Sequence, residues 1–370
     1  MTKVDTETLR RWLEEGRPVS VLDIRAAEDR EQWSIPESVH VDAYERLKAG
    51  DAGALAGIEL PPGRPVITIC NAGKVSQIAA EQLRQRGIDA YPLAGGMKSW
   101  SLSWNAAERS LAGASVVQVR RTGKGCLSYL IGSSPTGSDK EAAVIDASLD
   151  PQIYLRLAAE RDWSIRYVLD THIHADHLSR SRALAGLAGA TLLLPAQDRV
   201  RFPFTPIEDG QVIAMGALRI RAIATPGHTM ESMSYELPGE ALFTGDTLFL
   251  SGVGRPDLNA STSEAAERAH ILYRSLKRLC HLSADALVFP GHTSQPVPFD
   301  RKALCAPLGE VRESIASWLD NEGKFVRTIL QRIPPTPPNF SEIVELNEQG
   351  TLPERDLTEL EAGANRCAVS

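Results

Sequence analysis

This 370-residue sequence has few cysteines, no excess of basic charge and no long apolar segment. The five cysteines show no regular spacing, which argues against a disulfide framework. There are 40 lysines and arginines against 47 aspartates and glutamates, and this net charge of −7 argues against a nucleic-acid partner. No apolar run approaches the ~20 residues that span a bilayer, and the charged N-terminus lacks the apolar core of a signal peptide. We expect a soluble, cytoplasmic protein with no membrane partner.

The strand and helix patterns divide the chain into two unlike α/β units. Residues 1–108 alternate short β-branched strands with helices, which predicts a parallel sheet with helices on both faces. Residues 115–370 form the second unit, in which a turn-rich hairpin loop is predicted at 132–139 and an amphipathic helix at 263–282. A Pro-rich segment at 333–339 begins a C-terminal extension that could pack against another subunit, so a homo-oligomer stays open.

Histidines and aspartates of the second unit concentrate in four short segments, each of which follows an apolar strand. The segments THIHADH, TPGHT, TGDTL and PGHT supply His172, His174, Asp176, His177, His228, Asp246 and His292. Because side chains at strand ends can converge on one edge of a sheet, we expect these seven to lie close together. Imidazole and carboxylate are ligands of zinc, iron and manganese, so the pattern predicts a metal centre. The other three histidines lack such a context, and we expect them at the surface.

These four segments are similar to those of the metallo-β-lactamase superfamily, across roughly residues 115–300. The resemblance implies an αββα sandwich with the metal where the two sheets meet. In dinuclear members the pattern implies one zinc at His172, His174 and His228. It implies a second zinc at Asp176, His177 and His292, with Asp246 as the bridge. One interpretation is therefore a two-zinc thioester hydrolase of the glyoxalase II type with an accessory N-terminal module.

Other segments resemble the persulfide dioxygenase branch of that superfamily. Members of this branch are similar to the ethylmalonic encephalopathy protein. These segments are VGRPDL at 253–258, PGHTSQPVPFD and IPPTPPNFSEIVELNEQG. This resemblance implies one Fe(II) per chain, held by His172, His228 and Asp246, while the other four side chains orient ligands and waters. It implies oxidation of glutathione persulfide, or a similar small persulfide, by O₂ to sulfite. Arg255 would orient the anionic substrate or support the loop near the iron.

A cysteine stands at a second chemically distinctive position, in the N-terminal unit. Cys70 ends the strand at 66–69 and opens a loop that leads into a predicted helix. Backbone N–H groups at a helix N-terminus stabilise a thiolate, and Lys74 adds a positive charge for an anionic donor or acceptor. The candidate loop that binds sulfur and anions consists of Asn71, Ala72, Gly73, Lys74, Val75 and Ser76. A buried structural cysteine is the alternative.

The segments VLDIR, IPESVHV, CxxGxxS and LAGGMKSW resemble a single rhodanese domain over residues 5–108. The resemblance implies that Cys70 is a nucleophile that carries persulfide sulfur and passes it to an acceptor such as sulfite, giving thiosulfate. Ser76 stands where a phosphatase loop would need arginine, which disfavours phosphate chemistry. Trp33 and Ser34 replace the usual Gly-His pair. A relay or docking module without turnover is the alternative.

The two resemblances both concern sulfane sulfur, and together they favour a rhodanese–persulfide dioxygenase fusion that acts in sulfide detoxification. Its expected partners are a thiol persulfide, O₂, sulfite and thiosulfate, and its expected cofactor is Fe(II), with zinc as the alternative. We expect Cys126, Cys280 and Cys367 to be structural, whereas Cys305 could approach the pocket of the metal domain.

Overall fold

The computed structural model describes residues 3–133, 140–363 and 365–369. Apart from its first two residues, the hairpin loop predicted at 132–139 lies outside the described residues. In the part of the chain that is described, no helix is both long enough and apolar enough to cross a membrane.

The N-terminal unit is a parallel sheet between two layers of helices. Its strands and helices, within the described residues, are β1 (Ser20–Asp23), β2 (Val39–His40), β3 (Val66–Ile69), β4 (Ala90–Pro92), α1 (Thr6–Glu14), α2 (Ala27–Gln32), α3 (Tyr44–Lys48), α4 (Val75–Gln85) and α5 (Gly96–Trp100). The strand order is β2–β1–β3–β4. Leu47 and Leu83 pack on one face of the sheet, and Leu9 and Trp100 on the other. The predicted parallel sheet covered on both faces is confirmed.

The second unit contains the remaining described elements. Its strands are β5 (Asn105–Ser110), β6 (Ala114–Arg120), β7 (Leu127–Ser133), β8 (Glu141–Ile145), β9 (Ser164–Leu169), β10 (Thr191–Pro195), β11 (Thr205–Ile207), β12 (Val212–Met215), β13 (Leu218–Ala224), β14 (Met233–Leu237), β15 (Ala241–Gly245), β16 (Val253–Gly254), β17 (Leu287–Pro290), β18 (Ala306–Pro307) and β19 (Ala368–Val369). Its helices are α6 (Pro151–Ala159), α7 (Ser181–Ala188), α8 (Thr262–Leu279), α9 (Leu308–Leu319), α10 (Glu322–Gln331), α11 (Phe340–Gln349) and α12 (Leu357–Leu360).

Two large mixed sheets form the middle layers of this unit. Among the described residues, one sheet has the order β11–β10–β9–β8–β7–β6–β5 and the other β12–β13–β14–β15–β17–β18. Tyr129 and Phe243 meet edge to face in the apolar core between the sheets. Leu157 of α6 packs on the outer face of the first sheet, and Leu272 of α8 packs on the outer face of the second. The predicted αββα order of layers is confirmed.

The strand β5 extends the second unit towards the N-terminus. It pairs antiparallel with β6 along its whole length, from Asn105 opposite Arg120 to Ser110 opposite Ser115. The sheet of the second unit therefore begins at Asn105, inside the range 1–108 predicted for the first unit. The sequence NAAERS has little apolar alternation, so the strand forms because a hairpin partner is available and not through its own preference.

Buried contacts join the two units. The indole of Trp33, which is 6% exposed, donates from Nε1 to the carbonyl oxygen of Thr122 at 2.8 Å. Arg121 donates from Nε to the carbonyl oxygen of Ser101 at 2.7 Å. The tryptophan that replaces the usual Gly-His pair is thus an anchor between the domains.

We expect Trp33→Ala to lower the free energy of unfolding by about 3–5 kcal/mol, because it empties a buried aromatic site and removes the donor to Thr122. Urea unfolding would measure the loss. Trp33→Phe is the comparison, since it keeps one aromatic ring in the site and should cost less than the alanine variant. An alanine variant as stable as the parent would contradict the assignment of Trp33 as an anchor.

Candidate metal centre

Side chains from three strand ends bring their ligand atoms together where the two sheets meet. They are His172, His228 and Asp246, and their ligand atoms all lie within 4.8 Å of one another. The Nε2 atom of His172 is 3.8 Å from Asp246 Oδ2, and that of His228 is 3.7 Å from the same oxygen. We refer to these three residues as the triad.

Two atoms of the triad are buried without a compensating contact. Within the described residues, His172 Nε2 and Asp246 Oδ2 have no hydrogen-bond partner. Buried polar atoms are normally paired, because an unpaired one costs about 1–3 kcal/mol. A cation would bind both atoms, and two imidazoles with one carboxylate are a donor set that iron and zinc accept. The triad therefore fits a metal ion.

Hydrogen bonds hold both triad imidazoles in the orientation that leaves Nε2 available. His172 Nδ1 lies 2.9 Å from Thr171 Oγ1, which in turn donates to Asp146 Oδ2 at 2.9 Å. His228 Nδ1 donates to the carbonyl oxygen of Arg255 at 2.8 Å. Because each Nδ1 carries the proton in these contacts, each Nε2 has a free lone pair.

The protonation of the triad also suits metal binding, which needs neutral imidazole and ionised carboxylate. Burial lowers the pKa of His172 well below its usual value, and burial likewise lowers the pKa of His228. Burial opposes ionisation of Asp246, but His292 outweighs it and the pKa of Asp246 falls.

The residues predicted for the second metal site form another buried group, whose ligand atoms with that of Cys126 also lie within 4.8 Å of one another. His292 Nδ1 donates to Asp246 Oδ1 at 2.5 Å, and its Nε2 lies 3.0 Å from Asp176 Oδ2. His177 Nδ1 lies 3.0 Å from Asp176 Oδ1. The thiol of Cys126 completes this group, 3.4 Å from Asp176 Oδ2. Both oxygens of Asp176 and one oxygen of Asp246 are therefore engaged by protein groups.

We call Cys126, Asp176, His177, His292 and Asp246 the polar network, in which histidines lie next to aspartates. Burial disfavours the charged form of His177, but Asp176 outweighs burial and raises the pKa of His177 to about 10. Burial is likewise outweighed at His292, where Asp176 and Asp246 raise the pKa well above its usual value. The pKa values of these two histidines are therefore shifted in the opposite direction from those of the triad histidines.

His174 lies apart from the triad. Its Nε2 atom is 3.3 Å from Asp146 Oδ1, and His174, Asp146 and Asp170 form a separate buried group. Its ring lies between those of His172 and His177, with centroid separations of 4.3 and 4.2 Å. Among the described residues, the structure therefore divides the seven predicted side chains between separate possible ligand sets and does not place all of them in one.

Arg255 faces away from the triad. Its buried guanidinium donates to Asp257 from Nε and Nη2, both at 2.8 Å, and to the carbonyl oxygens of Pro335 and Arg366 from Nη1. Of the two predicted roles, this geometry fits support of the loop and not contact with substrate, because the guanidinium is occupied by protein groups. Its backbone carbonyl oxygen orients His228.

The C-terminal segment, defined here by residues 356–363 and 365–369, reaches the centre. β19 pairs with β16, and the carbonyl oxygen of Cys367 accepts from Arg255 N at 2.9 Å. The buried thiol of Cys367 lies within 4.8 Å of ligand atoms of Asp246 and His292. Burial raises the pKa of this thiol well above its usual value, which favours the neutral form.

Glu361 of the same segment makes buried ionic contacts beside the loop that follows β9 and carries His172, His174 and His177. Its carboxylate lies 2.7 Å from Arg121 Nη2 and 3.1 Å from Arg180 Nη2, and it accepts from Leu178 N at 2.9 Å. Burial would raise the pKa of Glu361, but the two arginines outweigh it and hold the pKa at about 2.

Cys70 lies at the N-terminus of α4, as predicted. Its sulfur accepts from Ser76 N at 3.4 Å, and its side chain is almost fully buried. Gly73 has φ +75°, and an added Cβ would lie 2.7 Å from Gly95 N, so the loop needs glycine there. Lys74 is exposed beside the loop. The structure forms the candidate loop, and the chemistry of Cys70 stays a prediction.

The C-terminal segment also touches the support of this loop. Lys98 N in α5 donates to the carbonyl oxygen of Asn71 at 2.9 Å. The ammonium of the same lysine lies 2.7 Å from Asp356 Oδ2 and 2.6 Å from Glu359 Oε1. One segment thus contacts the surroundings of both candidate sites.

Sequence reasoning missed several residues of the centre. Asp146, Cys126, Cys367 and Glu361 carry no local motif, and tertiary contacts alone bring them to the four segments. Cys126 and Cys367 were expected to be structural, and the structure places both buried thiols at the polar network. Cys305 packs against the core between the sheets, and in the described residues it belongs to none of the ligand groups.

Comparison with known families assigns both units. Residues 5–103 match the rhodanese-like domain, and residues 121–292 match the metallo-beta-lactamase superfamily. Curated relatives include hydroxyacylglutathione hydrolase of Brucella anthropi, 34% identical over 155 residues, covering 41% of this chain and 53% of the relative. The hydroxyacylglutathione hydrolase of Maricaulis maris is 35% identical over 174 residues, covering 45% and 63%. The chain thus spans less than two thirds of these relatives.

Two solved structures are similar to this chain over about two thirds of its length. A metallo-beta-lactamase from Staphylococcus aureus subsp. aureus COL has a TM-score of 0.58 and 24% identity, covering 65% of this chain and 74% of its own. This likeness concerns the fold alone. ETHE1 from Myxococcus xanthus has a TM-score of 0.54 and 30% identity, covering 63% of this chain and 97% of its own.

We expect the stability of the protein to depend on the ionisation of Glu361. Its pKa is about 2 in the folded state and ordinarily 4.5, so its contribution is present above pH 4.5 and is lost as the pH falls towards 2. This shift corresponds to about 3 kcal/mol. Urea unfolding would show that, as the pH falls from 4.5 towards 2, the free energy of unfolding decreases less in Glu361→Gln than in the parent. At pH 7 that variant would be about 3–5 kcal/mol less stable, because Arg121 loses its buried partner.

The exposed Glu345 offers a matched control, and Glu345→Gln should follow the parent curve. Identical pH dependence in Glu361→Gln and the parent would rule out this role for Glu361.

Proposed function

Because the chain belongs to the metallo-β-lactamase superfamily and carries a rhodanese-like domain, we propose that it is a persulfide dioxygenase fused to a sulfurtransferase. The overall reaction is RSSH + O₂ + H₂O → RSH + SO₃²⁻ + 2H⁺. The persulfide is that of glutathione or a similar small thiol. Metal use follows from the superfamily and the triad, and we propose Fe(II), one per chain.

The observation that carries this proposal is that the seven candidate ligands lie in separate groups, one of which is the triad. Two neutral imidazoles and one carboxylate form a 2-His-1-carboxylate set, the arrangement typical of non-haem Fe(II) sites with open positions. A second ion bridged by Asp246 would need Asp246 Oδ1, which accepts a 2.5 Å hydrogen bond from His292. It would also need Asp176, whose two oxygens contact His177 and His292.

When bound, Fe(II) supplies the activation of O₂, and the chain supplies the site around it. Thr171 and the Arg255 carbonyl oxygen fix the two imidazole rings, so that Nε2 of each points to a common position. His292 holds the Asp246 carboxylate from the opposite side through Oδ1. Burial of all three ligands keeps water from competing for their lone pairs.

The comparisons support two related functions. The Myxococcus protein is matched over 97% of its length at 30% identity, which favours the dioxygenase branch. The curated relatives carry the name hydroxyacylglutathione hydrolase, which favours a two-zinc thioester hydrolase. Both involve glutathione-type thiols, so metal content and O₂ consumption distinguish them.

In the N-terminal domain, the Cys70 thiolate would attack the outer sulfur of a persulfide: Cys–S⁻ + RSSH → Cys–SS⁻ + RSH. Attack of sulfite on that sulfur then gives thiosulfate and returns the thiolate. The position of the sulfur at the N-terminus of α4, with Ser76 N–H donating to it, supports this role because the helix end stabilises negative charge.

We expect anaerobically purified protein to contain about one iron per chain and to consume O₂ when glutathione persulfide is added. Metal analysis and an oxygen electrode would measure both. Two zinc ions per chain, with turnover of S-lactoylglutathione and no O₂ uptake, would overturn the proposal.

The same measurements extend to variants. His228→Ala and Asp246→Ala should lose the metal and O₂ uptake together, because each removes one of three ligands. The matched control is His281→Ala, since His281 lies exposed just after α8, where its Nδ1 hydrogen-bonds the backbone carbonyl oxygen of Lys277.

We expect Cys70→Ser to lower thiosulfate formation from glutathione persulfide and sulfite by at least 100-fold, because serine cannot carry the sulfane sulfur. Its O₂ uptake should match that of the parent. Cys280→Ser, a change at a partly exposed cysteine outside both sites, should preserve both activities. Unchanged thiosulfate formation in Cys70→Ser would contradict catalysis at Cys70. It would favour the alternative, in which the domain is a relay or docking module without turnover.

A further inference from the structure

Two cavities border the triad. The smaller has a volume of about 220 Å³ and touches the triad at His228. The larger has a volume of about 520 Å³ and touches it at His172, and much of its wall comes from α7, from β10 with the loop that follows, and from the end of α11. The larger volume falls within the range of about 300–1,000 Å³ typical of small-molecule sites. A small molecule bound there would lie next to a metal ligand.

The carboxylates on the wall of the larger cavity already have partners within the protein. Asp170 is buried and accepts from two nearby serine hydroxyls, at 2.7 and 2.5 Å. Glu231 accepts from Ile173 N at 3.2 Å and lies 3.5 Å from Arg199 Nη1, with which it forms an ion pair. Neither carboxylate therefore neutralises the one cation of the described wall, which is Arg182.

Arg182 is exposed to the opening of this cavity. Its Nη1 atom donates to the carbonyl oxygen of Gly350 at 2.8 Å, and its guanidinium carbon lies over the Phe202 ring, 4.7 Å from the ring centroid. These contacts orient the guanidinium but leave its charge without a carboxylate partner in the described part of the chain. Most of its N–H groups therefore remain available to a ligand.

The approach of these three groups depends on glycine at position 350. Gly350 ends α11 with φ +66°, and an added Cβ would lie 2.3 Å from the Phe202 ring and 2.7 Å from Arg182 Nη1. Three segments far apart in sequence thus meet to hold one guanidinium in place. A guanidinium with a fixed plane suits a carboxylate, which it binds through two parallel N–H···O bonds.

A second donor on the same wall is uncharged. In the described residues Gln197 Nε2 is buried and has no hydrogen-bond partner, although Gln197 Oε1 accepts from Arg199 N and Val200 N. Apolar side chains such as Leu194 and Leu346 form much of the remaining wall. A ligand that matches this wall has a carboxylate for the guanidinium, a neutral acceptor such as a peptide carbonyl, and methylene groups.

We propose that Arg182 binds a carboxylate of the thiol carrier and thereby determines substrate specificity beside the metal. The inference rests on the proposed function and narrows its substrate class to persulfides of anionic, peptide-like thiols. Glutathione belongs to this class, since it has a carboxylate at each end and peptide carbonyls between them. Its sulfur would lie on the His172 side of the cavity, with one carboxylate at Arg182.

The test compares glutathione with two analogues, in which either the glycine carboxylate or the γ-glutamyl α-carboxylate is replaced by a neutral amide. Calorimetry measures the binding of each thiol to the anaerobic, metal-loaded protein. We expect one amide to bind the parent at least tenfold more weakly than glutathione (about 1.4 kcal/mol), because it loses a charge-assisted contact. That analogue identifies the carboxylate at Arg182. Equal affinities of all three thiols would overturn the proposal.

Arg182→Gln locates the effect. The tenfold preference for glutathione over the weaker amide should fall below about threefold in this variant, whereas a merely structural arginine would weaken the binding of all three thiols alike. Arg219→Gln is the matched control, because Arg219 is also exposed and donates to the carbonyl oxygens of Gly216 and Leu218, outside this cavity. It should keep the full preference. An undiminished preference in Arg182→Gln would place the carboxylate elsewhere and overturn the proposal.

Oxygen uptake separates this inference from the proposed function. With glutathione persulfide, the KM should rise by a similar factor in Arg182→Gln and stay at the parent value in Arg219→Gln. If no persulfide drives O₂ uptake while the parent prefers glutathione and Arg182→Gln removes that preference, the assignment of Arg182 stands and the dioxygenase assignment falls. If uptake occurs and neither binding nor KM depends on Arg182, the reverse holds.

Discussion

The buried carboxylate of Asp246 is the group on which the organisation of the metal centre depends. One oxygen faces the Nε2 atoms of His172 and His228, and the other accepts a hydrogen bond from His292. A carboxylate taken out of water needs compensation on both oxygens, and here a cation of the protein supplies one side. The other side is left for a metal ion. This division separates His172 and His228, whose pKa values are lowered, from His177 and His292, whose pKa values are raised by the carboxylates they contact.

The same logic extends outward to the C-terminal segment. Glu361 neutralises Arg121 and Arg180 beside the loop that follows β9. Cys367 reaches the polar network because β19 pairs with β16. The segment also contacts Lys98, whose backbone supports the loop of Cys70. Ionic contacts of this kind fix geometry more than they add stability, since desolvation offsets much of their attraction. The two candidate sites therefore share one structural support although they lie in different domains.

The cavities beside the triad connect the metal chemistry to substrate choice. The scaffold that presents the ligands is common to a superfamily of diverse reactions, so selectivity has to come from the surroundings of the metal. Here α7 and the end of α11 supply a mainly apolar wall that also carries the exposed guanidinium of Arg182. Under the proposed function, groups of this kind around the metal would distinguish one thiol carrier from another.

Much of the fold and part of the site follow from local sequence. The alternation of strands and helices, the position of Cys70 before α4 and the placing of four His/Asp segments after strands depend on neighbours in the chain, which a sequence displays directly. The strand β5 was missed because its pairing with β6 stabilises it and its residues do not. How the seven candidate ligands divide into groups was decided by tertiary structure, because strand ends far apart in sequence bring His172, His228 and Asp246 together and place His292 between Asp176 and Asp246. The contacts of Trp33, Glu361 and Cys367 belong to the same class, since only packing of the complete chain brings their partners within reach.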